Sequence, residues 1–96
     1  MMTKKEIAKQ CGFELDQSEI DVLCYIWTNT PKTACDPLET YVDLGVPPSD
    51  DCGSPFTRIT IAIYLADKGL LQQHQENVNS FRLTEAGEKL HAAFYQ

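Results

Sequence analysis

The chain has 96 residues, of which 43% are hydrophobic, and this length leaves room for one domain but not for two. A domain of this size buries only about 60–65% of its unfolded surface, so little material remains for a deep catalytic cleft and a binding module is favoured over an enzyme. Fourteen acidic residues against eight basic ones give a net charge of −6, which excludes attraction to phosphates by overall charge.

The sequence contains no apolar run of membrane-spanning length. The longest candidate, from Ile59 to Ala66, is far shorter than the roughly 20 residues that cross a bilayer. The charged N-terminal stretch is not followed by the apolar segment of a secretory signal. We therefore expect a cytoplasmic protein that does not associate with membranes.

The spacing of the four cysteines contains no Cys-x-x-Cys knuckle, and both histidines are distant in sequence. In a reducing cytosol we expect free thiols, and we expect neither a metal nor a cofactor. Cys24 is interpreted as a core residue of an apolar helix. Cys35 and Cys52 bracket a short segment, so a redox-sensitive pair between them stays open; the fourth cysteine is Cys11.

Helix-capping patterns define the first predicted element. Thr3 and Glu6 have the spacing of a capping box, and Gly12 is placed to end the helix in a left-handed conformation. These positions predict a helix over 4–11, within an N-terminal helical extension over 1–12.

The second predicted helix begins with Asp16 and Glu19, which repeat the capping pattern. Apolar residues then recur at helical spacing on most sides of the helix until Thr30-Pro31 stops it. This helix is expected to be the central one.

A third, short helix is predicted to begin at Asp36-Pro37, an acceptor at the N-cap followed by proline at N1. Its apolar stripe contains Leu38, Tyr41 and Val42 and ends at Gly45. The proline- and aspartate-rich stretch that follows predicts an irregular connection.

The C-terminal half is predicted to contain a helix, a hairpin and a last helix. Ser54-Pro55 opens the helix, and Gly69 follows its end. Apolar residues then alternate with polar ones, as in a β-hairpin, and Thr84 caps the last helix. We therefore predict one mostly helical α+β domain over 1–96, with about five helices and a hairpin; the predicted C-terminal boundaries are 54–68, 70–83 and 84–95.

This order of elements resembles the winged helix-turn-helix family, particularly transcriptional regulators of the MarR and PadR kinds. The residues that carry the resemblance are Thr57-Arg58-Ile59, the stretch from Leu65 to Leu71, and Phe81-Arg82-Leu83-Thr84-Glu85-Ala86-Gly87. The resemblance implies that 54–68 is a recognition-type helix that lies in the major groove of DNA, and that 70–83 is the wing.

Helical spacing divides the recognition-type helix into a core side and an outward side. The expected core residues are Phe56, Ile59, Ala62, Ile63 and Ala66. The candidate residues for binding nucleic acid or a partner are Thr57, Arg58, Thr60, Ile61, Tyr64 and Lys68, with Arg82 from the hairpin. Threonine and arginine can contact phosphates or bases, whereas the apolar members suit a protein partner.

The recognition-type helix and the hairpin carry little positive charge, so we expect one copy of the domain to bind DNA weakly. Residues 54–83 contain three cations against two carboxylates, Asp67 and Glu76, for a net charge of +1. The hairpin tip has no Lys or Arg, and His74 on it is interpreted as solvated. A DNA-binding transcriptional regulator is still the favoured function, and a homodimer would supply the missing cations.

The alternative is an acidic winged helix that binds and inhibits a nucleic-acid-binding protein, as DNA mimics of phage or anti-defence type do. Residues 13–53 contain nine carboxylates against one lysine, for a net charge of −8. Carboxylates at such density can occupy the site where a partner binds phosphates. The candidate acidic surface is Asp36, Glu39, Asp43, Asp50 and Asp51.

Catalysis is the least supported function. The sequence has no nucleophile elbow, no phosphate-binding glycine loop, and no helical metal-binding motif of the His-Glu-x-x-His kind. Glu85, Glu88 and His91 recur every three residues, which we interpret as an exposed salt-bridging face. We therefore predict a non-enzyme.

Overall fold

A computed structural model describes residues 3–30, 41–45 and 55–95 of the chain, with the side chains of Pro55 and Phe56 excepted. Within these ranges the fold is α+β, as predicted, with four helices and one three-stranded antiparallel sheet. The helices are α1 (Lys4–Gln10), α2 (Gln17–Asn29), α3 (Pro55–Asp67) and α4 (Glu85–Phe94), and the strands are β1 (Val42–Asp43), β2 (Leu71–Gln73) and β3 (Ser80–Leu83).

Several predictions concern residues outside the described ranges. They are the start of the third helix at Asp36-Pro37, the irregular connection, the redox pair, the core position of Phe56, and four of the five acidic-surface residues, namely Asp36, Glu39, Asp50 and Asp51.

The structure has the N-cap half of the predicted α1 capping box and the complete predicted box of α2. The hydroxyl of Thr3 accepts a hydrogen bond from the Glu6 amide at 3.2 Å, and Gly12 ends the segment at φ +93°. At α2, the carboxylate of Asp16 accepts from the Glu19 amide at 2.8 Å and that of Glu19 accepts from the Asp16 amide at 3.3 Å, which completes a capping box.

The prediction that Val42 continues a helical stripe is wrong, because Val42 and Asp43 form β1. Val42 pairs with Phe81 and Asp43 with Ser80, both on β3. The amide of Leu44 extends this pairing with a 2.9 Å hydrogen bond to the Asn79 carbonyl. The edge of β3 supplies backbone partners, and β-branched valine fits a half-buried strand better than a short helix.

The sheet has the order β1-β3-β2, so β3 is the central strand. Leu71 pairs with Leu83 and Gln72 with Arg82 across the hairpin. Leu71, Phe81 and Leu83 are buried, and Gln72 is exposed, as the alternating pattern predicts. The sheet packs on helices that contribute most of the remaining core, including Ile20, Leu23, Ile26, Ala62, Leu65 and Leu90.

The turn after α3 is fastened to the start of α4. Gly69 adopts φ +86°, a conformation that favours glycine, and reverses the chain. The hydroxyl of Thr84 donates to the Gly69 carbonyl at 2.6 Å, and the Thr84 amide donates to the Leu70 carbonyl at 3.0 Å. Thr84 also caps α4, since its hydroxyl accepts from the Gly87 amide at 3.2 Å. One threonine therefore joins the turn after α3 to the start of α4.

The interpretation of His91 as part of an exposed salt-bridging face is wrong. His91 is 6% exposed, and its ring stacks on Trp27 at 4.5 Å between centroids. It continues the buried stripe of α4, which also contains Gly87, Leu90 and Phe94. Among the described residues, the salt bridge on the opposite side of α4 joins Lys89 Nζ to Glu85 Oε1 at 3.3 Å.

None of the helices within 3–30, 41–45 and 55–95 combines the length and the apolar character needed to cross a membrane.

Candidate interaction surface

Helix α3 buries only part of the side that its sequence pattern predicts: Ala62 is buried and Ile59 and Ala66 are half-buried against the core. Its buried residues are Arg58, Ala62 and Leu65, spaced four and three residues apart. Ala62 confirms the prediction, but Ile63 contradicts it, because Ile63 is 47% exposed. Because the buried stripe runs through Leu65 rather than Ile63, the helix is rotated from its predicted orientation.

The exposed side of α3 is called here the α3 outer face, and it comprises Thr57, Thr60, Ile63, Tyr64 and Asp67. Tyr64 is 59% exposed, and together with Ile63 it forms an apolar area on this face. Ile61 lies beside the face, half-buried and packed against the core. The outer face therefore includes three of the seven predicted contact residues, Thr57, Thr60 and Tyr64.

Arg58 does not belong to the α3 outer face. Its side chain is buried, at 5% exposure. Its Nη2 donates to the Leu44 carbonyl at 3.3 Å, and its guanidinium carbon lies 5.0 Å from the ring centroid of Tyr25. This cation therefore connects α3 to the end of β1 and to α2 instead of facing outward.

Lys68 is engaged in an ion pair with α2. Its Nζ lies 2.6 Å from the Glu19 carboxylate and donates to the Glu14 carbonyl at 2.9 Å. The Glu19 side chain is 12% exposed and that of Lys68 is 35% exposed. The carboxylate that completes the α2 capping box therefore also holds the end of α3.

We expect Glu19→Gln to lower the free energy of unfolding by about 1–2 kcal/mol, because glutamine keeps the capping acceptor and removes the partner charge of Lys68. Urea denaturation measures the change. Glu88→Gln is the matched control, since Glu88 is an exposed carboxylate in the first turn of α4. Equal stabilities of the two variants would contradict a stabilising ion pair.

Arg82 is held across the hairpin. Its Nε and Nη2 donate to the side-chain oxygen of Gln72 at 3.0 and 2.7 Å. Its guanidinium carbon lies 5.2 Å from the ring centroid of Tyr41, so the cation also packs on an aromatic side chain. Like Arg58 and Lys68, Arg82 has contacts within the chain.

The loop of the hairpin is organised by His74, and the interpretation of this residue as merely solvated is wrong. Its Nδ1 accepts hydrogen bonds from the amides of Glu76 and Asn77, both at 3.0 Å, and its ring meets Tyr41 edge-on at 4.8 Å. The exposed tip includes Val78, which is 58% exposed.

Cys24 has a specific neighbour in α1. Lys4 donates to the Tyr95 hydroxyl at 3.3 Å, and its Nζ lies 4.0 Å from the Cys24 sulfur. The hydrogen bond that Lys4 donates to Tyr95 raises the pKa of Lys4, and burial raises the pKa of the Cys24 thiol. A thiol with a raised pKa stays protonated near neutral pH and is a poor nucleophile. These contacts fasten α1 to α2 and to the end of α4.

The acidic alternative surface is represented in the described chain by Asp43 alone. Asp43 is exposed, and its carboxylate accepts from the Gly45 amide at 2.8 Å. In the described part of the chain no three His, Cys, Asp or Glu side chains converge to hold a metal ion.

No local pattern in the sequence indicates that Lys68 contacts Glu19 or that Arg58 contacts Tyr25. Glu19 was identified only as a capping residue, and it lies 49 positions from Lys68. No protein-family model, curated protein or solved structure matches the chain.

Proposed function

We propose that this chain is a non-enzymatic binding domain that contacts another protein through the α3 outer face. One observation carries the proposal: the cations that DNA binding would use, Arg58, Lys68 and Arg82, all donate hydrogen bonds within the chain. Lys68 is also ion-paired, and the two arginines pack on aromatic rings. Arg58 is buried as well. Using any of them on phosphates would first break these contacts.

The composition of the α3 outer face agrees with a protein partner. Ile63 and Tyr64 are exposed next to each other, with hydroxyl-bearing Thr57 and Thr60 toward the start of the helix and Asp67 at its end. Tyrosine and apolar side chains are typical of the centre of protein interfaces, and polar residues are typical of the rim. Asp67 would repel a phosphate backbone.

The fold that we propose for this domain is a winged helix. It is supported by the succession of α3, the left-handed turn at Gly69, the antiparallel hairpin of β2 and β3, and α4. This is the order in which the resemblance to winged helix-turn-helix regulators places the recognition-type helix, the wing and the last helix.

DNA binding is the second candidate. It is favoured by the exposure of Thr57 and Thr60 near the N-terminus of α3, the part of a recognition helix that contacts base edges. Arg82 is only partly buried and could exchange Gln72 for a phosphate. A dimer would double these few contacts.

Ile63→Ser/Tyr64→Ser is expected to weaken partner binding at least tenfold, because it removes the apolar centre of the face. A photo-crosslinking amino acid at position 60, introduced in cells of the source organism, traps the partner, and mass spectrometry identifies the adduct. The partner's affinity for each variant is then measured by calorimetry. Val78→Ser is the matched control, because Val78 is equally exposed but lies on the hairpin loop.

A parallel titration tests the second candidate. The protein is mixed with random and genomic duplex DNA at low salt while the amide signals are followed. We expect no shifts in α3. Shifts of Thr57 to Asp67 that Arg82→Gln abolishes would replace the proposal with DNA binding, and an absence of any protein adduct at position 60 would also overturn it.

A further inference from the structure

Two neighbouring clefts lie between α2 and α3. One cleft is lined by Ser18, Asp21 and Tyr25 of α2 and by Thr57 and Ile61 of α3. The other cleft shares Ser18 and Ile61 and is also lined by Asp16, Tyr64 and Asp67. The two clefts adjoin at Ser18 and Ile61 and are together called here the α2–α3 groove.

The floor of the α2–α3 groove is apolar and its edges are acidic. Val22 is buried, and Ile61 and Tyr25 are half-buried, so their side chains form the floor. The exposed carboxylates of Asp16, Asp21 and Asp67 lie along the edges.

Both cations of the groove contact other residues of the chain. Lys68 is paired with Glu19, and Arg58 is buried against Tyr25. The lining contains four carboxylates, Asp16, Glu19, Asp21 and Asp67, against two cations, which is −4 + 2 = −2. The accessible charge along the edges is therefore negative.

We propose that the α2–α3 groove binds a basic amphipathic segment of the partner protein. Apolar side chains of the segment contact Val22, Tyr25 and Ile61, while its lysines or arginines face Asp16, Asp21 and Asp67. This inference rests on the proposed function, because Tyr64 belongs both to the groove and to the α3 outer face.

Charge complementarity favours a basic amphipathic segment over an acidic segment, a nucleic acid or a neutral apolar segment. An acidic segment or a nucleic-acid backbone would place like charges against three carboxylates. A neutral apolar segment would desolvate the same carboxylates without a compensating partner. A basic amphipathic helix avoids both costs. A helix of about 14 residues is about 21 Å long, which matches the length of the 13-residue α3 that forms one wall of the groove.

The test uses a helical peptide of about 14 residues made of leucine and lysine at amphipathic spacing. Two comparison peptides carry glutamate or glutamine in place of lysine. Amide shifts in the protein locate the binding site, and calorimetry measures affinity at low salt and at about 0.3 M salt. We expect shifts at Ser18, Asp21, Ile61 and Tyr64 with the lysine peptide, weaker binding at high salt, and no binding of the glutamate peptide.

Asp21→Asn/Asp67→Asn is expected to weaken binding of the lysine peptide about fivefold at low salt, since each exposed carboxylate contributes modestly. Asp21→Asn retains an acceptor for the side chain of Gln17, whose Nε2 donates to Asp21 Oδ1 at 2.8 Å. Glu76→Gln/Glu88→Gln, which removes two exposed charges outside the groove, is expected to leave the affinity unchanged.

Shifts outside the groove, equal binding of the glutamate peptide, or equal losses in the two double variants would overturn the inference. If it fails while the photo-crosslink at position 60 still depends on Ile63 and Tyr64, the proposed function stands and the partner uses the outer face alone. If the peptide binds as expected but no protein adduct forms at position 60, the groove stands and the proposed function fails.

Discussion

Gly87→Ala is expected to lower the free energy of unfolding by about 3 kcal/mol, at the upper end of typical overpacking costs. A Cβ at position 87 would overlap the Leu70 carbonyl oxygen and lie 3.0 Å from the Leu83 Cδ2 and 3.2 Å from the Leu70 carbonyl carbon. That carbonyl accepts the Thr84 amide at 3.0 Å, so moving it would cost a hydrogen bond. The expected loss occurs although alanine has a higher helix propensity than glycine by about 1 kcal/mol.

Urea denaturation of Gly87→Ala and Gly12→Ala separates steric overlap from backbone strain. A Cβ at Gly12 would meet nothing within 4 Å, but Gly12 has φ +93°. Its replacement should therefore cost about 1 kcal/mol from strain alone. A Gly87→Ala variant as stable as the unmodified protein would contradict the close approach of α4 to the turn after α3.

Phe81→Ala is expected to lower the free energy of unfolding by about 4 kcal/mol, because it leaves a large cavity in the centre of the sheet. Phe81 is fully buried, and it lies on β3 between Val42 of β1 and Gln73 of β2. Losing its ring removes packing that both neighbouring strands share. Circular dichroism during urea denaturation measures the effect.

Phe81→Leu keeps this prediction testable if Phe81→Ala does not fold, and it should cost about 1–2 kcal/mol. Arg82→Gln is the control at the next position on β3, where the side chain is partly exposed on the opposite side of the strand. It should cost less than about 1 kcal/mol. If both replacements at position 81 cost no more than Arg82→Gln, Phe81 is not the centre of the core.

Local signals predicted most of the helices and the hairpin. Asp16 and Glu19 marked the start of α2 by their spacing, and Gly69 marked the end of α3 by the conformation that only glycine adopts easily. Such signals depend on contacts within four residues of the chain, which a sequence displays directly. The two-residue strand β1 was missed because Val42 is held by Phe81, 39 positions away.

The sequence predicted several residues of the candidate site but not which of them lie together on one exposed surface. Helical spacing correctly put Thr57 and Tyr64 outward, and placed Ile63 inward although it is exposed. An apolar helix such as α3 has apolar residues on several sides, so periodicity alone does not determine its rotation. The packing of Leu65 and Arg58 against the rest of the fold determines it.

By itself, the sequence determined most of the helix boundaries, the α+β class and the negative charge of this protein, since capping, turn conformation and composition are properties of neighbouring residues. Only the tertiary structure decided which charges reach the surface. Lys68 meets Glu19 and Arg58 meets Tyr25 because α2 and α3 pack together, and these pairs are 49 and 33 positions apart. The same packing creates the α2–α3 groove, whose edges keep their carboxylates exposed while the nearby cations are engaged.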